Sequence, residues 1–182
     1  TLDARSEGAL LHEWCAEVFE RTKAEWAKRP RDAEKILDLV DSYAAARLAA
    51  EHPGSLRLVE LRFASLVAKQ VVLSAIFDET WNYEFAELSF GSPDSPWKAL
   101  VLPRSGVRVT GRIDRVDVHF TGKERRVIDY KRGAQDERLV GVTSLQLPLY
   151  ARVIEHETSA RVSEGAYFRL LGKGTGPKAV RA

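Results

Sequence analysis

The N-terminal third of the chain carries apolar residues at helical spacing. In SEGALLHEWCAEVFERTKAEW, Leu10, Leu11, Trp14, Val18 and Phe19 fall three or four apart, with Ser6 as a candidate cap. DAEKILDLVDSYAAARLAAEH repeats the pattern after Pro30, with Asp32 placed to cap it. Pro53-Gly54 interrupts the chain, and SLRLVELRFASLVAKQVVLSAIFDET restores the helical period. From Trp81 the period drops to two. WNYEFAELSFG reads as a strand, followed by a loop rich in Pro, Ser and Asp around residues 92–96. KALVLP and GVRVTGRIDRVDVHF read as further strands, the second turning at TGKE into RRVIDYKR. A helix is predicted over Ser144–Glu157, with Pro148 marking a kink or a start close by. ARVSEGAYFRLLG reads as the last strand, and GKGTGPKAV as a flexible hairpin or tail. Helices, then a meander of strands, then a helix and one more strand predict a mixed sheet with helices packed on its faces.

Composition narrows this picture. A chain of 182 residues suits one well-cored domain, residues 1–182, and its start at Thr1 reads as a domain excised from a longer polypeptide. No apolar run approaches the ~18 residues of a membrane span, and the start lacks a secretory signal. The single Cys15 excludes an internal disulfide and cannot alone hold zinc or an iron–sulfur cluster. That usage points to a reducing, cytoplasmic setting. The net charge of +2 permits nucleic-acid binding without arguing for it.

The candidate chemistry lies in GRIDRVDVHFTGKERRVIDYKRG. Asp129 and Lys131 alternate with Ile128 and Tyr130, so carboxylate and ammonium share one strand face. A short turn joins this strand to the one carrying Asp114, favouring an antiparallel pair that brings Asp114 towards Asp129. Two carboxylates that close repel unless a divalent cation lies between them, and hard oxygen ligands suit Mg²⁺ or Mn²⁺. Taken alone, the same residues also fit strand-edge carboxylates balanced by Arg112, Arg115, Lys131 and Arg132. Gln146 and Tyr150 are four apart, hence neighbours on one helix face. Alone they fit a satisfied surface pair, as His12 alone fits a packed or solvated imidazole.

In order along the chain, GALLHEW, FAELSFG, GRIDRVD, VIDYKRG, QLPLYA and GAYFRLL resemble the RecB-type branch of the PD-(D/E)XK nuclease superfamily, from Gly8 to Leu171. The resemblance implies an α/β (α+β), restriction-endonuclease-like fold, with a central mixed sheet flanked by helices and a helical N-terminal third. It implies a Mg²⁺- or Mn²⁺-dependent deoxyribonuclease, exonuclease-type, in DNA repair or recombination. His12, Asp114 and Asp129 are then the metal ligands, helped by the backbone carbonyl of Tyr130. Lys131 is the catalytic lysine, and Gln146 with Tyr150 forms the branch's Gln-x-x-x-Tyr motif, expected to contact or position DNA. Glu87 matches an acidic residue on the first strand and is given a supporting role. Arg112, Arg115 and Arg132 read equally as phosphate contacts or as solvated strand-end charges, while Asp117 is expected to orient Arg115 or cap the strand pair. Some relatives hold an iron–sulfur cluster on four cysteines, which this chain lacks. It also lacks a G-x-x-x-x-G-K-[ST] phosphate loop, so an ATP-driven helicase belongs to another part of the parent protein or to a partner subunit. The competing reading is a catalytically inactive, nuclease-like DNA-binding or scaffolding module of a helicase–nuclease complex. Such a copy is expected to have lost Asp114, Asp129 or Lys131, and all three are present. A metal hydrolase acting on a small molecule is weaker, because nothing in the sequence outlines a pocket for one.

Overall fold

The computed structural model describes residues 3–133, 145–171 and 176–180. The chain divides into two compact units, Thr1–Tyr83 and Glu84–Ala182. The first is helical: α1 (Ala4–Arg21), the single turn α2 (Lys23–Trp26), α3 (Ala33–Ala49) and α4 (Leu56–Ile76). Asp3, not Ser6, caps α1, its side chain accepting from the Arg5 and Ser6 amides. Asp32 caps α3 as expected, through the Lys35 amide. α1, α3 and α4 pack on one another through Leu10, Leu11, Trp14, Val18, Phe19, Ile36, Val40, Leu61, Ala64, Val67, Ala68 and Val71, all buried. Helix ends leave carbonyls without intrahelical partners. At the end of α4 the buried Arg31 guanidinium fills that need, donating to the Ala75 and Asp78 carbonyls at 2.7 Å each.

The strands are β1 (Trp81–Phe90), β2 (Leu100–Val101), β3 (Arg108–Val109), β4 (Gly111–His119), β5 (Glu124–Lys131), β6 (Arg161–Arg169) and β7 (Gly176–Val180), with α5 (Gln146–Thr158) before β6. The main sheet runs β1-β4-β5-β6-β7, while β2 and β3 form a separate hairpin. β4–β5 and β6–β7 are antiparallel and β5–β6 is parallel, so the sheet is mixed. A parallel pair cannot be joined by a tight turn, and the connection from β5 to β6 contains α5. This helix packs on both strands. The predicted mixed sheet and helical N-terminal third are what the chain forms.

Three local expectations change. The strand predicted across GVRVTGRIDRVDVHF divides at Thr110 into β3 and β4, because β3 pairs with β2 and β4 enters the main sheet. Residues 176–180 of the expected tail form β7 against β6, while residues 172–175 lie outside the described residues. The helix expected from Ser144 is described from Gln146, and Pro148 occupies its first turn, where a missing N–H costs no helical hydrogen bond. Gly91 has a specific reason to be glycine. Its φ is +83°, and a Cβ there would meet Thr110 Cγ2 at 2.6 Å.

A buried charge ladder crosses the second unit. Asp117, fully buried on β4, holds Arg115 through Nε at 2.6 Å and Nη2 at 2.9 Å. It also accepts from Arg126 on β5 at 2.7 Å, and Arg126 reaches Glu164 on β6 at 3.5 Å. Asp117 is registered opposite Arg126, and Arg126 opposite Glu164, so the ladder follows the strand pairing. Burying one carboxylate among two guanidiniums keeps each charge partnered.

Candidate metal and phosphodiester site

The alternation of β4 and β5 sorts their charges. Arg115 is registered opposite Ile128 and Val116 opposite Val127, so Asp114 stands one step beyond the last registered pair, beside Asp129. Asp114 is buried, and its Oδ2 accepts from the Tyr130 amide at 2.8 Å. That bond ties the first carboxylate to the strand bearing the second. Asp129, 1% exposed, pairs with Lys131 Nζ at 2.6 Å. Gly165 of β6 lies opposite Val127, and a Cβ there would stand 3.5 Å from Leu147 of α5. The α5 helix therefore sits close over the strand face that carries Asp129 and Lys131.

Lys131 is the hub of the cluster. Besides Asp129, its Nζ donates to Gln146 Oε1 at 2.9 Å and lies 5.5 Å from the centre of the Tyr167 ring. The Gln146 Nε2 in turn donates to the Tyr150 hydroxyl at 3.0 Å. One turn of α5 thus carries a chain of hydrogen bonds that ends on the lysine. Burial raises the Tyr150 phenol above its ordinary value of 10.0; the Gln146 amide opposes that shift, and the Asp114 and Asp129 charges add to it. Tyr150 is therefore a neutral phenol, and its ring meets Phe90 edge-on at 6.1 Å.

Glu87 gains weight from its backbone. It has φ +51° within β1, a left-handed conformation that side chains other than glycine rarely adopt. Such strain persists where the surroundings over-determine it, and it clusters at functional sites. A carboxylate oxygen of Glu87 lies within 4.8 Å of one from Asp114, and Arg112 Nε stands 2.9 Å from Glu87. Sequence reasoning gave Glu87 a lesser part than Asp129, because neither spacing nor period reveals a left-handed residue inside a strand.

One expectation about the site is revised. Arg115 is 3% exposed and held at both nitrogens by Asp117, so it is an internal ion-pair partner and not a phosphate contact. Alternation turned it to the face opposite Asp114 and Val116. The orienting role expected of Asp117 is what Asp117 does. Gln146, expected with Tyr150 to meet nucleic acid, also bonds Lys131 and Tyr150. His12 lies half-buried on α1 of the first unit.

A pair of carboxylates within 4.8 Å of each other suits a hard divalent cation. The ammonium beside it can stabilise negative charge or direct a water. The sequence profile of the PD-(D/E)XK nuclease superfamily matches residues 1–182. No curated protein matches the chain.

Proposed function

Because the chain belongs to the PD-(D/E)XK nuclease superfamily, we propose that it is a divalent-metal-dependent nuclease hydrolysing phosphodiester bonds in DNA. The observation that supports this most is the placement of Lys131 between Asp129 at 2.6 Å and Gln146 at 2.9 Å, on the strand hydrogen-bonded to Asp114. The donor set fits Mg²⁺ or Mn²⁺. Glu87 and Asp114 bring two carboxylates within 4.8 Å of each other, and both offer hard oxygen. Asp129, the Tyr130 carbonyl and His12 are the further ligands we assign, on the strength of the family pattern. When bound, such a cation polarises a phosphoryl oxygen and lowers the pKa of a water.

The remaining chemistry belongs to the chain. An ammonium has three N–H donors. Gln146 takes one of them and the Asp129 charge stands 2.6 Å from the nitrogen, which leaves a donor for a phosphoryl oxygen or for the attacking water. Holding Nζ from two sides fixes that donor's direction before substrate arrives. Preorganised charge of this kind lowers the barrier without reorganisation during reaction. Tyr150 keeps the Gln146 amide turned so that its carbonyl oxygen, not its NH₂, faces the lysine. With about 29% of its side chain exposed, Lys131 remains reachable from solvent.

We assign the activity to exonuclease-type work in DNA repair or recombination. The test is incubation of the purified protein with end-labelled single- and double-stranded DNA in Mg²⁺, Mn²⁺ or EDTA. A ladder shortening from one end in metal and intact DNA in EDTA are expected. DNA bound but intact in every metal would favour the inactive scaffolding module instead.

A further inference from the structure

We infer that the β2–β3 hairpin is a guide for the DNA backbone, gripping phosphates that flank the bond to be cut. The inference rests on the nuclease reading and adds to it a surface outside the reaction centre.

Between Asp94 and Asp114 the chain carries Lys98, Arg104, Arg108 and Arg112 and no carboxylate. Those four positive charges exceed the net +2 of the whole chain, so everything outside this stretch is net negative. Lys98, Arg104 and Arg108 are exposed. None of the three makes an ion pair or side-chain hydrogen bond among the described residues. Arg125, by contrast, is clamped by Glu84 at 2.7 Å, Lys69 by Asp41 at 2.6 Å, and Arg126 by Asp117 at 2.7 Å. Isolated cations grouped without counter-charge are what a polyanion neutralises on binding.

The hairpin is also built to hold these cations in place. Its inner residues Leu100 and Val109, together with Trp97, pack against the core cluster around Phe90 and Leu147. Leu100 pairs with Val109, and Val101 with Arg108. The tip closes through two 2.9 Å bonds, from the Leu102 amide to the Val107 carbonyl and from the Gly106 amide to the Leu102 carbonyl. Gly106 supplies the φ of +68° that this turn needs.

The hairpin then leads straight into the site. Arg112 pairs with Glu87 at 2.9 Å, and Asp114 follows two residues later. Arg108 is six residues before Asp114, a span of at most about 20 Å in extended chain. On a duplex strand rising ~3.4 Å per nucleotide, that distance covers about six nucleotides. Arg108 therefore lies no farther from Asp114 than about six nucleotides of a strand, within reach of DNA seated at the site.

The experiment uses the whole protein and a triple variant, Lys98→Gln, Arg104→Gln and Arg108→Gln, with Arg104→Glu as an independent second variant. Affinity for a fluorescein-labelled oligonucleotide is measured by anisotropy in EDTA at several salt concentrations. Hydrolysis of bis(p-nitrophenyl) phosphate in Mn²⁺, a diester too small to reach the hairpin, is measured alongside. The triple variant should bind roughly 10- to 100-fold more weakly at moderate salt. The slope of log affinity against log salt should fall by about two to three, since each phosphate that is no longer neutralised takes away roughly 0.7–0.9. Diester hydrolysis and melting temperature should match the parent, and Arg104→Glu should weaken binding in the same direction. A parent that binds DNA while both variants keep its affinity and slope overturns the inference, as does weakening that leaves the slope unchanged. A parent that hydrolyses the diester but ignores DNA also overturns it, and points to an acidic protein as the hairpin's partner. If the parent binds DNA through the hairpin yet never hydrolyses the diester, the nuclease reading falls and the guide stands.

Discussion

Removing the Gln146 amide tests whether the hydrogen-bond chain on α5 acts through the lysine. In Gln146→Ala, Lys131 Nζ loses its 2.9 Å acceptor and keeps the 2.6 Å contact with Asp129. A hydrogen bond to a charged group is worth about 1.5–3 kcal/mol net. At 1.36 kcal/mol per tenfold, its full loss from the transition state would slow cleavage by roughly 10- to 100-fold. Lys131→Ala removes the donor itself, and general acid–base or charge stabilisation of this kind contributes about 10²–10⁴-fold. Tyr150→Phe removes a neutral acceptor from the far side of the amide, worth about 0.5–1.5 kcal/mol, hence roughly a 2- to 10-fold loss. The expected order is therefore Lys131→Ala worst, Gln146→Ala intermediate and Tyr150→Phe mildest. Single-turnover cleavage with enzyme in excess reads the chemical step, and anisotropy reads DNA affinity separately. Calorimetric titration with Mn²⁺ and thermal melts check that metal site and fold persist. A Gln146→Ala enzyme that cleaves at the parent rate once DNA is saturated, with only its affinity reduced, would refute the positioning argument and return Gln146 to direct DNA contact.

Asp114→Ala and Glu87→Ala should each weaken Mn²⁺ binding in calorimetry, whereas Lys131→Ala should leave it largely intact; equal loss in all three would undo the separation of ligand from lysine. His12→Ala should weaken Mn²⁺ affinity and cleavage with the melting temperature unchanged, and an unaltered cleavage rate removes His12 from the ligand set. Asp117→Asn leaves Arg115 and Arg126 buried with their shared carboxylate gone, a loss of about 3–5 kcal/mol. At about 2–4 °C per kcal/mol for a chain of this size, the melting temperature should fall by roughly 10 °C. Burial first, then the hydrogen bond to Glu17, raise the Tyr43 phenol above its ordinary 10.0, with Arg47 opposing. Above pH 10.0 the folded phenol keeps a proton that the unfolded chain has lost. Its contribution to stability is thus present below that pH and lost as pH rises through the folded value. Tyr43→Phe should flatten the alkaline limb of a stability–pH curve, and an unchanged limb would place the responsible group elsewhere.

How far the sequence carried depends on the range of the interaction that decides each feature. Periodicity is local, so the shift from period 3.6 to period two at Trp81 located the helices and strands. Asp129 and Lys131 could be placed together because alternation within one strand is also local. Pairing between distant segments left a weaker trace. Nothing in GKGTGPKAV marks it as an added strand, since β7 exists only through its ladder with β6. The bond from Lys131 to Gln146 joins a strand to a helix fifteen residues on, and depends on how α5 lies over the sheet. The φ of Glu87 is likewise a property of the assembled sheet.

Arg115 shows most clearly what alternation can and cannot decide. Along β4, Arg112 and Asp114 share one parity and Arg115 and Asp117 the other, which the sequence states outright. Parity alone does not say which face is covered. A basic residue next to a candidate metal-binding carboxylate therefore looks like a phosphate contact until burial is known. In the structure, both faces bury a carboxylate, and they treat it differently. Asp117 is surrounded by the guanidiniums of Arg115 and Arg126, its charge cancelled inside the protein. Asp114 accepts from the Tyr130 amide and lies within 4.8 Å of the Glu87 carboxylate, which Arg112 pairs from the other strand. Two aspartates three residues apart on one strand thus meet opposite fates. The one balanced from within ties neighbouring strands together, and the one set beside another carboxylate offers oxygen that could hold a divalent cation.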